Sequence, residues 1–159
     1  MIKDNYKKYI IYLLIFTIIF ALDRITKIYI LHLAEINNTL DIYITSFLNF
    51  YLIWNKGIAF GLLSFDEELI YNLITIIIIL IIIVIIALMN KAEKMTKLGY
   101  LFIIGGAIGN FFDRIYYKGV PDFIELHVNN FHWFIFNIAD IFITIGVLCL
   151  IYVEVLKKS

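Results

Sequence analysis

The chain has 159 residues, of which 63% are hydrophobic and 16% charged, with 13 basic residues balanced by 13 acidic ones. Soluble domains are about 45–50% apolar and about 25% charged, and a fold this small cannot hide the excess in its core. That excludes an ordinary water-soluble globule and a disordered chain, the zero net charge excludes a basic nucleic-acid footprint, and an integral membrane protein is what remains.

Read in chain order with about 20 apolar residues per crossing, the sequence predicts four spans. The first covers about 9–31. It carries no charge from 9 to 22, then meets Asp23, Arg24 and Lys27 within a continuing helical pattern. Its long apolar run lacks an A-x-A cleavage site, so it is expected to stay as a span and not to be removed as a leader. The outer loop at about 35–68 is rich in Ile, Tyr, Thr and Phe, which favour strands. Two or three short strands are expected there, with NKGIAFG (55–61) as a turn. The second span, about 69–89, has no charged residue and is dominated by Ile, so it faces lipid on most sides. The third, about 98–115, holds Gly99, Gly105, Gly106 and Gly109, four of the chain's eight glycines. Gly105 and Gly109 form a small-xxx-small pair that lets helices approach closely in lipid. An outer loop at about 116–133 is aromatic and amphipathic, as at a membrane interface. The fourth span covers about 134–156. The fold class is therefore a mainly α membrane protein, one domain over 1–159, with four transmembrane helices, a small β-sheet and a short outer loop.

Orientation follows from the lysines. Lys3, Lys7, Lys8, Lys91, Lys94, Lys97, Lys157 and Lys158 fall on one side, against Lys56 and Lys118 on the loops of the other. The positive-inside rule puts both termini in the cytoplasm and both large loops outside. Polar residues of three helices then gather at the outer face.

A charge inside a span costs about 2.5–3.5 kcal/mol on insertion scales and is usually functional. Asp140 is the sharpest case. Counted from Phe134, it lies about 9 Å below the helix start, with Asn137 one turn away on the same face. Pairing with Arg114 for packing alone is the bland alternative. Asp113 and Arg114 in GNFFDR read first as a pair that anchors a helix end, and Asn110, three residues before Asp113, shares its face. Asp23 and Lys27 have i,i+4 spacing and can pair on one face. Asp122 in VPDFIELH would by itself be an ordinary loop acid; its weight comes from lying between the third span and Asp140, with Pro121 stiffening the backbone beside it. Asn55 and Gly57 read as turn residues. His127 and His132 read as interfacial side chains and Cys149 as a small apolar core residue. A single cysteine and three scattered histidines make no zinc motif, and Ser46, Ser64 and Ser159 lack the GxSxG context. If the chain is a hydrolase, its engine is a pair of carboxylates, one protonated and one charged.

Five segments, ALDRITK (21–27), NKGIAFG (55–61), GGAIGNFFDRI (105–115), VPDFIELH (120–127) and FNIADIFITIG (136–146), together resemble bacterial lipoprotein signal peptidases, or signal peptidase II. The resemblance spans nearly the whole chain. It implies four transmembrane helices with an extracytoplasmic β-sheet that cradles substrate, and an aspartyl endopeptidase that cuts prolipoproteins just before a diacylglyceryl-modified cysteine. Carried over by motif, Asp122 and Asp140 are the catalytic pair. Asp23, Lys27, Asn55, Gly57, Asn110, Asp113, Arg114 and Asn137 are supporting or substrate-binding residues. The resemblance further implies no metal or organic cofactor, a bacterial inner-membrane location with the site on the outer face, membrane lipids as partners, and inhibition by the cyclic peptide globomycin. Arg24 stands where Gln is frequent and Pro121 where Val is frequent. The rival reading is a small four-span ion or proton transporter with the buried acids as a relay. It requires polar residues through the whole membrane thickness, whereas the cytoplasmic halves of the spans are apolar.

Overall fold

The structure, a computed structural model, describes residues 2–57, 68–128 and 131–158. Its elements run α1 (Ile2–Asn37), β1 (Asp41–Thr45), β2 (Leu48–Asn55), α2 (Glu68–Lys91), α3 (Lys94–Tyr117), β3 (Val120–Val128), β4 (Phe131–Phe136) and α4 (Ile138–Lys158). Four helices are long and apolar enough to cross a membrane, and α2 is the most apolar, with a mean hydropathy of 3.3. The strands form one antiparallel sheet in the order β1-β2-β3-β4.

Two sequence expectations change. The outer loop at 116–133 is not merely interfacial: it supplies β3 and the first half of β4. The fourth helix begins at Ile138 and not near Phe134, because 131–136 is a strand paired to β3. Hydropathy cannot see this junction, since apolar residues continue from Phe134 to Phe136 and resume at Ile138. The polar break is Asn137, the residue that caps the helix. The NKGIAFG turn is described only as far as Gly57; its remainder lies outside the described residues.

The bundle is built around α3, against which α1, α2 and α4 all pack. On α1 the usual polarity is inverted. Ile19, Asp23, Lys27 and Ile30 form the buried stripe, while Leu14, Ile18, Ile25 and Ile28 are exposed to the surroundings a bilayer would fill. The glycines of α3 let α1 and α4 approach it closely. A Cβ on Gly105 would lie 2.9 Å from Ile19 of α1, and one on Gly106 would lie 2.3 Å from the Ala139 carbonyl oxygen of α4. Lower down, Gly99 and Gly146 face each other across the same α3–α4 contact. The sheet rests on the carboxyl-terminal end of α1 through Ile30, Leu40 and Phe123, with Phe50 edge-on to Phe123 at 6.1 Å.

The close approach at Gly106 is testable. Gly106→Ala places a methyl against backbone that cannot swing aside, and overpacking of this kind costs about 1–3 kcal/mol. Gly119→Ala, whose new Cβ would have 3.4 Å to its nearest neighbour, serves as the control. Thermal unfolding in detergent should show a lowered Tm for the first variant only; equal Tm values would contradict the packing described.

Candidate active site

Asp122 and Asp140 reach the site from different kinds of element. β2 and β3 pair with Ile53 opposite Asp122 and Asn55 opposite Val120, which brings Asn55 beside Asp122. The chain then turns through β4 and enters α4 at Asn137. Asp140 is the third residue of α4, in its first turn, so it sits at the helix mouth and not one or two turns inside. Both carboxyls are buried, Asp122 at 0% and Asp140 at 4% exposure.

Asn137 and Asp140 form a reciprocal cap. The Asn137 side-chain oxygen accepts the Asp140 backbone N–H at 3.1 Å, and the Asp140 carboxylate accepts the Asn137 backbone N–H at 3.1 Å. This is the capping-box arrangement with Asn and Asp in place of Ser/Thr and Glu. It leaves the Asn137 amide nitrogen pointing away from the helix, where it donates to Asp122 at 2.5 Å.

Asn55 and Asn110 are held in the same manner. The Asn55 side-chain oxygen accepts the Gly57 N–H at 2.8 Å, and its amide donates to Asp122 at 2.8 Å. The Asn110 oxygen accepts a hydrogen bond from Lys27 Nζ at 2.8 Å, and its amide donates to Asp140 at 2.8 Å. Each asparagine thus has its oxygen occupied by a fixed donor, and that forces its amide nitrogen toward a carboxylate. Burial and the charge of Asp140 push the Asp122 carboxyl up to about 7, against the opposing pull of the Asn55 and Asn137 hydrogen bonds and the charge of Lys27.

Behind Asn110 lies a buried ion cluster. Lys27 Nζ contacts Asp23 at 2.8 Å and Asp113 at 2.6 Å, so its three N–H donors meet two carboxylates and one amide. Arg24 bridges the same two acids, at 2.6 Å to Asp23 and 2.5 Å to Asp113. Its guanidinium also packs on the rings of Phe112 and Phe20, 4.9 and 5.8 Å from their centroids. Asp23 accepts the Ala139 backbone N–H at 3.1 Å, one residue before Asp140.

The expected Asp113–Arg114 pair does not form. Successive helical residues point about 100° apart, so Asp113 turns toward Arg24 and Lys27, while Arg114 donates to the Gly57 carbonyl. Nor does Arg114 pair with Asp140. The Arg114 carbonyl accepts the Tyr71 hydroxyl at 2.9 Å, which ties α2 to α3. Asn55, Asn110, Arg114, Asp122 and Asp140 all border one cavity of about 310 Å³, whose opposite wall includes Ile78, Ile81, Ile82 and Ile85 of α2. Sequence reasoning missed the participation of Arg24 and Tyr71. Arg24 carried a signal, a charge one residue from Asp23 within a span; the Tyr71 contact carried none. His127 and His132 stack on each other, with His132 against Glu125, away from this cavity. Among the described residues, no group of three or more His, Cys, Asp or Glu side chains is arranged to hold a metal ion.

Four membrane-length helices with two buried carboxyls bordering one cavity are the architecture a membrane-embedded hydrolase of the aspartic class requires. The comparisons agree with this class and narrow it. The Signal peptidase (SPase) II family is matched over residues 15–156. A lipoprotein signal peptidase from Pelagibacter ubique is 59% identical over 154 residues, covering 97% of this chain and 93% of the relative. One from Anaplasma phagocytophilum is 37% identical over 155 residues, covering 96% and 97%. Two solved structures described as bacterial membrane enzymes are also similar. One has a TM-score of 0.73 at 25% identity, covering 93% of this chain and 89% of its own. The other has a TM-score of 0.69 at 31% identity, covering 93% and 94%. The chain belongs to the signal peptidase II family. It is a membrane peptidase of the aspartic type, and the transporter reading has no support among these relatives.

Asp113→Asn removes the anion shared by Arg24 and Lys27, and breaking a buried pair costs about 3–5 kcal/mol. The expected outcome is a lowered Tm and folded yield, with activity per folded molecule reduced but present. A variant of unchanged Tm would show that the cluster carries little of the stability.

Proposed function

We propose that Asp122 and Asp140 are the catalytic pair with which this peptidase cuts a diacylglyceryl-modified prolipoprotein just before its lipidated cysteine. The observation that carries the reading is the set of fixed amide donors that converges on two buried carboxyls bordering one cavity. Preorganised donors of this kind stabilise charge without reorganising as it develops.

The chemistry needs one proton shared by the pair, a coupled state that belongs to neither residue alone. Burial and the charge of Asp140 raise the Asp122 carboxyl, which favours such sharing. The ionised carboxylate takes a proton from water as the water oxygen attacks the scissile carbonyl carbon. The protonated carboxyl donates to the carbonyl oxygen, and a neutral tetrahedral diol results. Collapse of the diol breaks the C–N bond: the carboxyl left ionised takes a hydroxyl proton as the carbonyl re-forms, and the other carboxyl gives its proton to the departing cysteine nitrogen. The products are a carboxyl-ended signal peptide and a new amino terminus. The isoleucine wall contributed by α2 offers the apolar part of the substrate a surface beside this polar edge.

The same reading extends to location and ligands. The site sits at the extracytoplasmic face of a bacterial inner membrane, both termini are cytoplasmic, lipids surround the exposed helix faces, and globomycin blocks the cavity. The lysine distribution supports this orientation.

Two measurements test the proposal. With a purified lipidated precursor, Asp122→Asn and Asp140→Asn should each abolish signal-peptide release while remaining folded. The double variant should lose little more, because members of one catalytic unit are not additive. Substantial turnover by either single variant, or equal cleavage of an unlipidated precursor by the unaltered enzyme, would overturn it. In intact cells, a cysteine placed at the exposed Asn38 should react with an impermeant thiol reagent and one at the exposed Lys91 should not; the reverse pattern would invert the topology.

A further inference from the structure

The mechanism leaves Arg24 without a task. It lies on α1, its side chain is 12% exposed, and it touches neither carboxyl of the pair. Yet it pairs with both acids of the cluster, at 2.6 Å to Asp23 and 2.5 Å to Asp113. The rings of Phe20 and Phe112 and the Gly109 carbonyl complete its surroundings. What this cation changes is the charge count. Asp23 and Asp113 carry two negative charges, and Lys27 alone supplies one positive charge. With Arg24 the four side chains sum to zero.

That sum matters because the cluster abuts the catalytic pair. Lys27 grips Asn110, whose amide donates to Asp140, and Asp23 holds the Ala139 N–H at the start of α4. The charge of Lys27 acts on both Asp122 and Asp140, and that of Asp23 acts on Asp140. Among the described residues, the other charged or titratable groups around the pair are Arg114 and Asp113 of α3 and Tyr71 of α2; Arg114 interacts by charge with Asp122 and Asp140 as well as with Asp113 and Tyr71. In a site this dry, one uncompensated charge in the adjoining cluster is felt across several side chains.

We infer that Arg24 is a positioning residue of electrostatic kind: it neutralises the Asp23–Lys27–Asp113 cluster and so sets the pH range in which the Asp122/Asp140 pair shares one proton. The inference rests on the assignment of that pair proposed above. Arg24→Gln keeps an amide donor in place but leaves the cluster with a net charge of −1. The pair then holds its protons to higher pH, and both limbs of the kcat–pH profile move up. Asp113→Asn leaves the cluster at +1 and moves both limbs down. The double variant Arg24→Gln/Asp113→Asn is neutral again, and Arg24→Lys keeps the charge throughout.

The experiment is the kcat–pH profile of signal-peptide release from a lipidated precursor, corrected for folded fraction, for the unaltered enzyme and these four variants. Asp122→Asn and Asp140→Asn are run beside them. We expect displacements of about half a pH unit or more, upward for Arg24→Gln and downward for Asp113→Asn. The double variant and Arg24→Lys should return close to the original profile. If Arg24→Gln does not fold, the downward move of Asp113→Asn and its reversal in the double variant carry the test. Unmoved limbs with inactive Asp122→Asn and Asp140→Asn would overturn the role of Arg24 alone. Active Asp122→Asn or Asp140→Asn would overturn the catalytic pair instead. A drop in rate with the limbs in place would make Arg24 a purely structural residue.

Discussion

A lysine side chain with 0% exposure inside a membrane helix is the constraint on which the rest of this structure depends. An ammonium in a bilayer has no water to solvate it, so the protein must supply partners for all three N–H groups. Lys27 finds Asp23 one turn away on α1, and Asp113 and Asn110 on α3. Once two carboxylates are present, their remaining lone pairs need donors as well. Asp23 takes the Ala139 N–H of α4, and Arg24 serves both acids. Three helices are thereby tied at one depth by groups that have nowhere else to go. The glycines follow from the same need. A Cβ at Gly109 would lie 2.6 Å from the Asp23 carboxylate, so α3 must be bare at the point where the cluster passes it.

From this hub, order propagates outward through amide groups. An asparagine side chain is ambiguous in isolation, since either end can point either way. Lys27 resolves Asn110, because an ammonium only donates. The Asp140 N–H resolves Asn137, and the Gly57 N–H resolves Asn55. Arg114 fixes Gly57 in turn, through its carbonyl. The result is three amide nitrogens held toward two carboxyls without any of them being free to rotate away. Such a site is assembled when the helices pack, not when substrate arrives.

The sequence shows one half of this design plainly. Uncharged apolar runs mark the spans, the Gly-rich stretch marks the helix on which the others pack, and Asp140 declares itself by its cost in an apolar setting. The Asp23–Lys27 pair is visible from helical spacing alone. What stays hidden depends on long-range pairing. Asp122 looks like a loop acid until β3 is paired to β2 and Asn55 comes beside it. Phe134–Phe136, the second half of β4, reads as the start of a span because a strand of aromatics and a membrane helix have the same hydropathy over so few residues; only Asn137 separates them. The Asp113–Arg114 expectation failed because neighbouring residues on a helix diverge, and spacing alone did not reveal which helix each would face.

The placement of α2 is the last consequence. This helix has no charged residue between its ends, 68 and 91, and makes its main contact with α3. Its hold on the bundle near the polar end is the Tyr71 hydroxyl on the Arg114 carbonyl, with Thr75 turned back onto its own helix. Had α2 packed fully against α4, Ile78, Ile81, Ile82 and Ile85 would have closed over the carboxyls as a solid core. Held as it is, it stands off and leaves the cavity open between its isoleucines and the polar edge formed by Asn110, Asp122 and Asp140. In the reaction proposed above, a bond next to an apolar segment is cut where both surfaces share one space, with water entering from the polar side. A bundle of four equally packed helices would fill that space with side chains.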